Sequence, residues 1–183
     1  MRESPPMTSF TYSIFLATVS AWGIKALGQI VGAAENATGI ASAFLYNLVT
    51  GKVFNLGGFG GSTSTAAAIN VLGQVVGGAF TSLDVSSRGF IVEFPWKSLQ
   101  ALGTFGGKNS NALGLNNLGG VVGAADAAGG EHAFIYVNGK MQDLNDDKLP
   151  TGWLLSEADD INDAGAIVGC GIVAGQLHAY LLH

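Results

Sequence analysis

Apolar residues along this chain arrive in short runs that return at a fixed interval, and no stretch shows the 3.6-residue period of a helix. Gly28-Gln29-Ile30-Val31-Gly32, Gly73-Gln74-Val75-Val76-Gly77, Gly119-Gly120-Val121-Val122-Gly123 and Gly165-Ala166-Ile167-Val168-Gly169 are versions of one phrase, their first glycines 45, 46 and 46 residues apart. Adjacent aliphatics in each phrase predict a strand covered on both faces, because a strand wetted on one side alternates. Ahead of each lies a short strand and a turn: Ala66–Ile69 then Asn70-Val71-Leu72-Gly73, Ala112–Leu115 then Asn116-Asn117-Leu118-Gly119, Ala158–Ile161 then Asn162-Asp163-Ala164-Gly165. Asn opening and Gly closing suit a type I turn, since the Asn side chain bonds the backbone ahead and Gly accepts positive φ. The first copy, Ala21–Ile24 then Lys25-Ala26-Leu27-Gly28, replaces that Asn with Lys.

A third strand follows about ten residues on, again small residue, aromatic, aliphatic: Ser42–Leu45, Arg88–Ile91, His132–Ile135 and His178–Leu181. A fourth returns through turns such as Asn138-Gly139, a two-residue hairpin signal, giving Val53–Leu56, Leu99–Leu102 and Met141–Leu144. Four antiparallel strands per unit of about 45 residues predict a single all-β domain over 1–183, a four-bladed β-propeller. The blades fall at about 20–57, 65–103, 111–145 and 156–183, the last completed by an N-terminal strand at Tyr12–Ala17 that hides the sheet edges. This predicts a monomer, or a dimer in which two chains share the last blade.

Apolar residues are 48% of the chain and charged ones 11%, enough for a core and incompatible with disorder. A net charge of −5 argues against a phosphate-tracking groove, so against nucleic acid, and points to cations as partners. Residues 4–24 are uncharged, but so are 53–83, and both are broken by Ser, Thr, Gly or Pro, so no membrane span is predicted. The N-terminus lacks the basic start of a secretory signal, although Val19-Ser20-Ala21 mimics a cleavage site; export would call for a leader outside these residues. The single cysteine, Cys170, excludes an internal disulfide and reads as a small buried hydrophobe on a strand.

The units, written Ala-x-x-Ile-Asn-x-x-Gly-Gln-Val-Val-Gly, then His-Ala-Phe, then Asp-Leu, then Leu-Gly-x-Phe-Gly-Gly, resemble the bacterial extracellular HAF repeat family over roughly Tyr12 to Leu182. The triplet is intact at His132-Ala133-Phe134, while Tyr180 stands for Phe in the last unit and Ser42 and Arg88 for His in others. The resemblance implies secretion or surface display and a β-rich repeat fold, and no particular activity.

Seven of the thirteen carboxylates fall in one window: Asp143, Asp146, Asp147, Glu157, Asp159, Asp160 and Asp163. Asp159 and Asp160 occupy first-strand positions held elsewhere by Trp22 and Gly23, Ala67 and Ala68, Leu113 and Gly114. First strands of a propeller line its channel, where paired carboxylates need a cation or a raised pKa. Asp159 and Asp160, helped by Asp163 and Asp143, are therefore the candidate oxygen ligands for Ca²⁺; a solvated acidic loop and catalytic carboxylates are the competing readings. The EF-hand motif fails, because Lys148 stands at its Gly position and Leu154 at its Glu. Trp96 and Trp153, in irregular connections, are candidate stacking platforms for a sugar, or pack under a loop. His132 and His178 hold equivalent places but show no metal-binding spacing, the Gly57–Gly61 loop lacks the Lys and helix of a phosphate cradle, and no Gly-x-Ser-x-Gly elbow is present. The sequence therefore reads as a module binding a glycan or a small polar ligand, with Ca²⁺ at the channel mouth; the alternative is a metal-assisted hydrolase of small esters or lactones.

Overall fold

A computed structural model describes residues 18–26, 28–93, 98–146 and 149–183. The expected strand Tyr12–Ala17 and the expected platform Trp96 lie outside the described residues. Within them, four antiparallel sheets follow one another along the chain. The first holds β1 (Val19–Lys25), β2 (Gln29–Glu35), β3 (Ala41–Asn47) and β4 (Lys52–Gly57). The second holds β5 (Gly60–Ile69), β6 (Val75–Thr81), β7 (Ser87–Val92) and β8 (Gln100–Ala101). The third holds β9 (Ser110–Leu115), β10 (Val121–Ala127), β11 (Gly130–Val137) and β12 (Lys140–Asp143), and the fourth β13 (Trp153–Ile161), β14 (Ile167–Val173) and β15 (Gln176–Leu182). Strand order inside each sheet follows chain order, as the repeat predicts.

The turns close as their residues dictate. Gly73 N–H donates to Asn70 O at 3.0 Å with Gly73 at φ +82°, while Asn70 Oδ1 accepts from Leu72 and Gln74 N–H. Asn116 and Asn162 repeat that arrangement. Asn138 and Gly139 both take positive φ, the type I′ hairpin expected of them.

Just before each turn the first strand carries one extra residue: register skips Trp22, Ala67, Leu113 and Asp159 against the second strand. This bulge drives a first-strand carbonyl, that of Ser20, Thr65, Asn111 or Glu157, into the space where a Cβ on Gly32, Gly77, Gly123 or Gly169 would stand. The two glycines of the repeated phrase thus have separate causes, the first a left-handed turn and the second a bulge.

Successive sheets stack face to face: β5 lies on β2 and β3, β9 on β6 and β7, β13 on β10 and β11. In the second and third sheets the doublet of aliphatics is split between two interfaces. Val75 joins Val31, Leu45 and Phe90 in one cluster, whereas Val76 joins Ile91, Val121 and Phe134 in the next. Val122 in turn packs with Leu155, Ile161 and Ile167. Phe59 and Phe105, from the Gly-rich connections, wedge against the first two clusters. The first strands β1, β5, β9 and β13 run beside one another along one margin of the array. Among the described strands, the packing that joins neighbouring sheets is not repeated between β1 and β14 or β15.

Two boundaries differ from the sequence reading. β5 begins at Gly60, because Gly60 pairs with Thr81 and Ser62 N–H donates to Asp84 Oδ1 at 2.7 Å. β13 begins at Trp153, which pairs with Val173, so this tryptophan belongs to a strand and not to a connection.

Candidate functional site: the acidic first strand of the fourth sheet

Asp159 and Asp160 are exposed on β13, at the margin formed by the first strands. Asp159 is the residue skipped by the second of two register shifts in β13, two positions on from Glu157. Burial, then the neighbouring Asp159 side chain and its charge, and the Glu131 charge raise the Glu157 pKa above its usual value. Asp160 Oδ1 accepts its neighbour's backbone N–H, from Ile161, at 2.9 Å. Its backbone passes so close to Gly114 of the adjacent sheet that a side chain there would strike it.

Tyr180 closes the back of this site. Its hydroxyl donates to the bulge carbonyl of Glu157 at 2.9 Å, and burial followed by the Asp159, Cys170 and Glu157 charges raises its pKa strongly. The phenylalanines at this third-strand position in the other sheets have no hydroxyl to offer, so the Tyr of His178-Ala179-Tyr180 and the acids of β13 occur together in one sheet. Cys170, paired opposite Glu157, is only half-buried, because no further sheet covers β14 among the described residues; the expectation of a buried cysteine is corrected.

The remaining expected ligands lie apart from this pair. Asp163, in the turn after β13, is exposed and engaged with Asn117 of the neighbouring turn: Oδ1 accepts its backbone N–H and Oδ2 its Nδ2, both at 2.8 Å, and these bonds hold the Asp163 pKa below its usual value. Asp143, at the end of β12, binds His132 Nδ1 at 2.6 Å and accepts from Asn145 N–H and Nδ2. Burial pushes the Asp143 carboxyl up, but these hydrogen bonds outweigh it and hold its pKa low. Asn145 goes on to grip both backbone groups of Leu155, tying the third sheet to β13. Asp143 also lines a hollow of about 530 Å³ with Phe105, Met141 and Asp146. Among the described residues no three His, Cys, Asp or Glu side chains converge as a metal-binding group.

Trp153, read as a stacking platform or as packed under a loop, is half-buried; its ring lies 5.9 Å from that of His178 at 58°, and it packs against the cluster around Leu155. His132 and His178 therefore have different partners, Asp143 and Trp153. Arg88, considered above only as a variant of the triplet, spends its guanidinium on the carbonyls of Ser87 and Lys108.

Compared with solved structures, the chain is similar to the crystal structure of TolB from Acinetobacter baumannii, with a TM-score of 0.60 at 15% identity. The match covers 88% of this chain and 40% of that one, so the chain spans about two fifths of the TolB chain. At this identity the likeness is one of fold, and the fold is β-propeller-like and all-β. No family model and no curated protein matches the sequence.

Glu157 and Tyr180 were not singled out from the sequence. The signal for Glu157 was available: Ser20, Thr65 and Asn111 hold its place in the other copies, so a carboxylate there is as out of pattern as those at 159 and 160.

Proposed function

We propose that this chain is a secreted or surface-displayed propeller module that binds a glycan or another small polar ligand at β13, through Glu157, Asp159 and Asp160. The observation that carries the reading is the exposure of Asp159 and Asp160 on a bulged strand, at positions where the other three sheets hold no carboxylate. Neighbouring carboxylates accept from several hydroxyls at once, and the raised Glu157 pKa favours a protonated form that also donates, which matches the paired donor and acceptor character of sugar hydroxyls. The setting outside the cell rests on the resemblance to HAF repeats.

A panel of neutral and acidic glycans, titrated calorimetrically against the protein and against its Asp159→Ala/Asp160→Ala variant, tests the reading. Binding that disappears in a variant of unchanged fold supports it. No binding across the panel, or binding indifferent to the substitutions, sinks it. Running the same titrations with Ca²⁺ and with a chelator decides whether a cation belongs to the site, and a chelator-sensitive lactone hydrolysis would put the hydrolase in its place.

A further inference from the structure

The array has two end faces, and both expose residues whose counterparts in the other sheets are buried or partly buried. Val31, Val76 and Val122 are 0% exposed because the first strand of the following sheet lies on them; their counterpart in the fourth sheet, Val168, is 45% exposed. Leu181 is 61% exposed where its counterpart Leu45 is 0% exposed. At the other end, Leu115 and Ile161 are buried against the preceding sheet, whereas their counterpart Ile24 on β1 is 69% exposed. β14 and β15 thus present a surface shaped for a first strand, and β1 is a first strand with no preceding sheet to lie on among the described residues.

The hydrogen-bond ladder along the turns points the same way. Asn70 Nδ2 donates to Asn116 O at 3.1 Å and Asn116 Nδ2 donates to Asn162 O at 3.0 Å. Asn162 continues the series, and its Nδ2 has no partner among the described residues. The next carbonyl in register would be that of Lys25, which already accepts from Gly28 N–H just as Asn116 O accepts from Gly119 N–H, and so keeps a lone pair for the ladder.

We infer that the chain associates head to tail with a second copy of itself, β1 of one copy seated on β14 and β15 of the other by the same packing that joins its internal sheets. The interface is heterologous, so each copy offers one donor face and one acceptor face.

The test uses the full chain and two substitutions on surfaces that are exposed in the isolated copy, Ile24→Glu on β1 and Val168→Glu on β14. Mass in solution is measured at about 50 µM, a concentration suited to interfaces of micromolar affinity. The parent is expected at two or more chains and each variant alone at one. An equimolar mixture of the two variants is expected to form a one-to-one complex, because Val168→Glu keeps an intact β1 and Ile24→Glu keeps an intact acceptor face. A monomeric parent overturns the inference, and a Val168→Glu variant that is monomeric but melts far below a monomeric parent would show instead that the chain closes on itself. Variants that self-associate as the parent does also overturn it, as does a mixture that stays monomeric.

Discussion

The main-chain carbonyl of Asn111 occupies the place where a Cβ on residue 123 would stand. Gly123 is buried, its backbone is extended and its first-strand neighbour is bulged, so an added methyl meets backbone that cannot rotate away. Gly123→Ala is expected to cost about 2–4 kcal/mol, the range of severe overpacking. Gly165→Ala meets no atom within 4 Å and suffers only from φ +84°, at about 1 kcal/mol. Denaturant midpoints for the two variants check the separation; equal losses would mean that the bulge does not dictate the second glycine.

The turn asparagines differ in what they hold. Asn116 is buried, accepts two backbone N–H groups and donates to Asn162 O across the sheet interface, whereas the exposed Asn162 makes the two local bonds alone among the described residues. Asn116→Ala is expected to lose about 2–3 kcal/mol and Asn162→Ala about 1 kcal/mol, because only the first strands a buried partner. Chemical denaturation of both variants measures the difference. The head-to-tail contact adds a clause: under associating conditions Asn162→Ala should also weaken self-association.

The architecture was legible because it is stated four times over. Strand order and turn type follow from Gly, Asn and paired aliphatics in register and reappear in the folded chain; two-sided burial reappears at Val75–Val76 and Val121–Val122, whereas β14 leaves Val168 exposed. The bulge was not legible in any one copy: Trp22, Ala67, Leu113 and Asp159 share no chemistry, and only the glycine opposite betrays the carbonyl that faces it. At the site, the expectation that Asp143 and Asp163 join Asp159 and Asp160 came from nearness in sequence. Strand direction separates them, since Asp143 ends an outer strand and pairs with His132, while Asp163 lies in a turn and pairs with Asn117. Trp153 misled for a related reason: Pro150-Thr151-Gly152 reads as a loop, but the strand that follows starts at once, held by Val173 and the Asn145 bonds to Leu155.

Asp163 gives an acid limb to stability. Its folded pKa lies below the usual 3.8, so its contribution is complete above that value and is lost as pH falls through the folded pKa. Asp163→Asn removes the charge and is expected to flatten this limb while leaving stability near neutral pH little changed, as suits an exposed pair. Urea midpoints followed downward from about pH 5 show it, and an unchanged slope in the variant would assign the acid sensitivity to another carboxylate.

Glu157 acts with the opposite sign. Burial and the neighbouring Asp159 raise its folded pKa above the usual 4.5, so between 4.5 and that raised value the folded chain binds more protons than the unfolded one. Stability contributed by the protonated form is therefore present below 4.5 and is lost as pH rises through the folded pKa, leaving an ionised pair in mutual repulsion at neutral pH. Glu157→Gln is expected to raise stability at pH 7 by about 0.5 kcal/mol, a figure reduced for solvent screening because the pair is largely exposed. Asp159→Asn should do the same by a different route, bringing the Glu157 titration down towards its usual value. The double variant should gain little more than either single one, because each removes the same repulsion. Melting curves at neutral pH and a carboxylate titration by NMR measure these outcomes. Additive gains, or a Glu157 titration unmoved by Asp159→Asn, would mean that the two side chains are not in contact. The polar-ligand reading of β13 would lose its support with them.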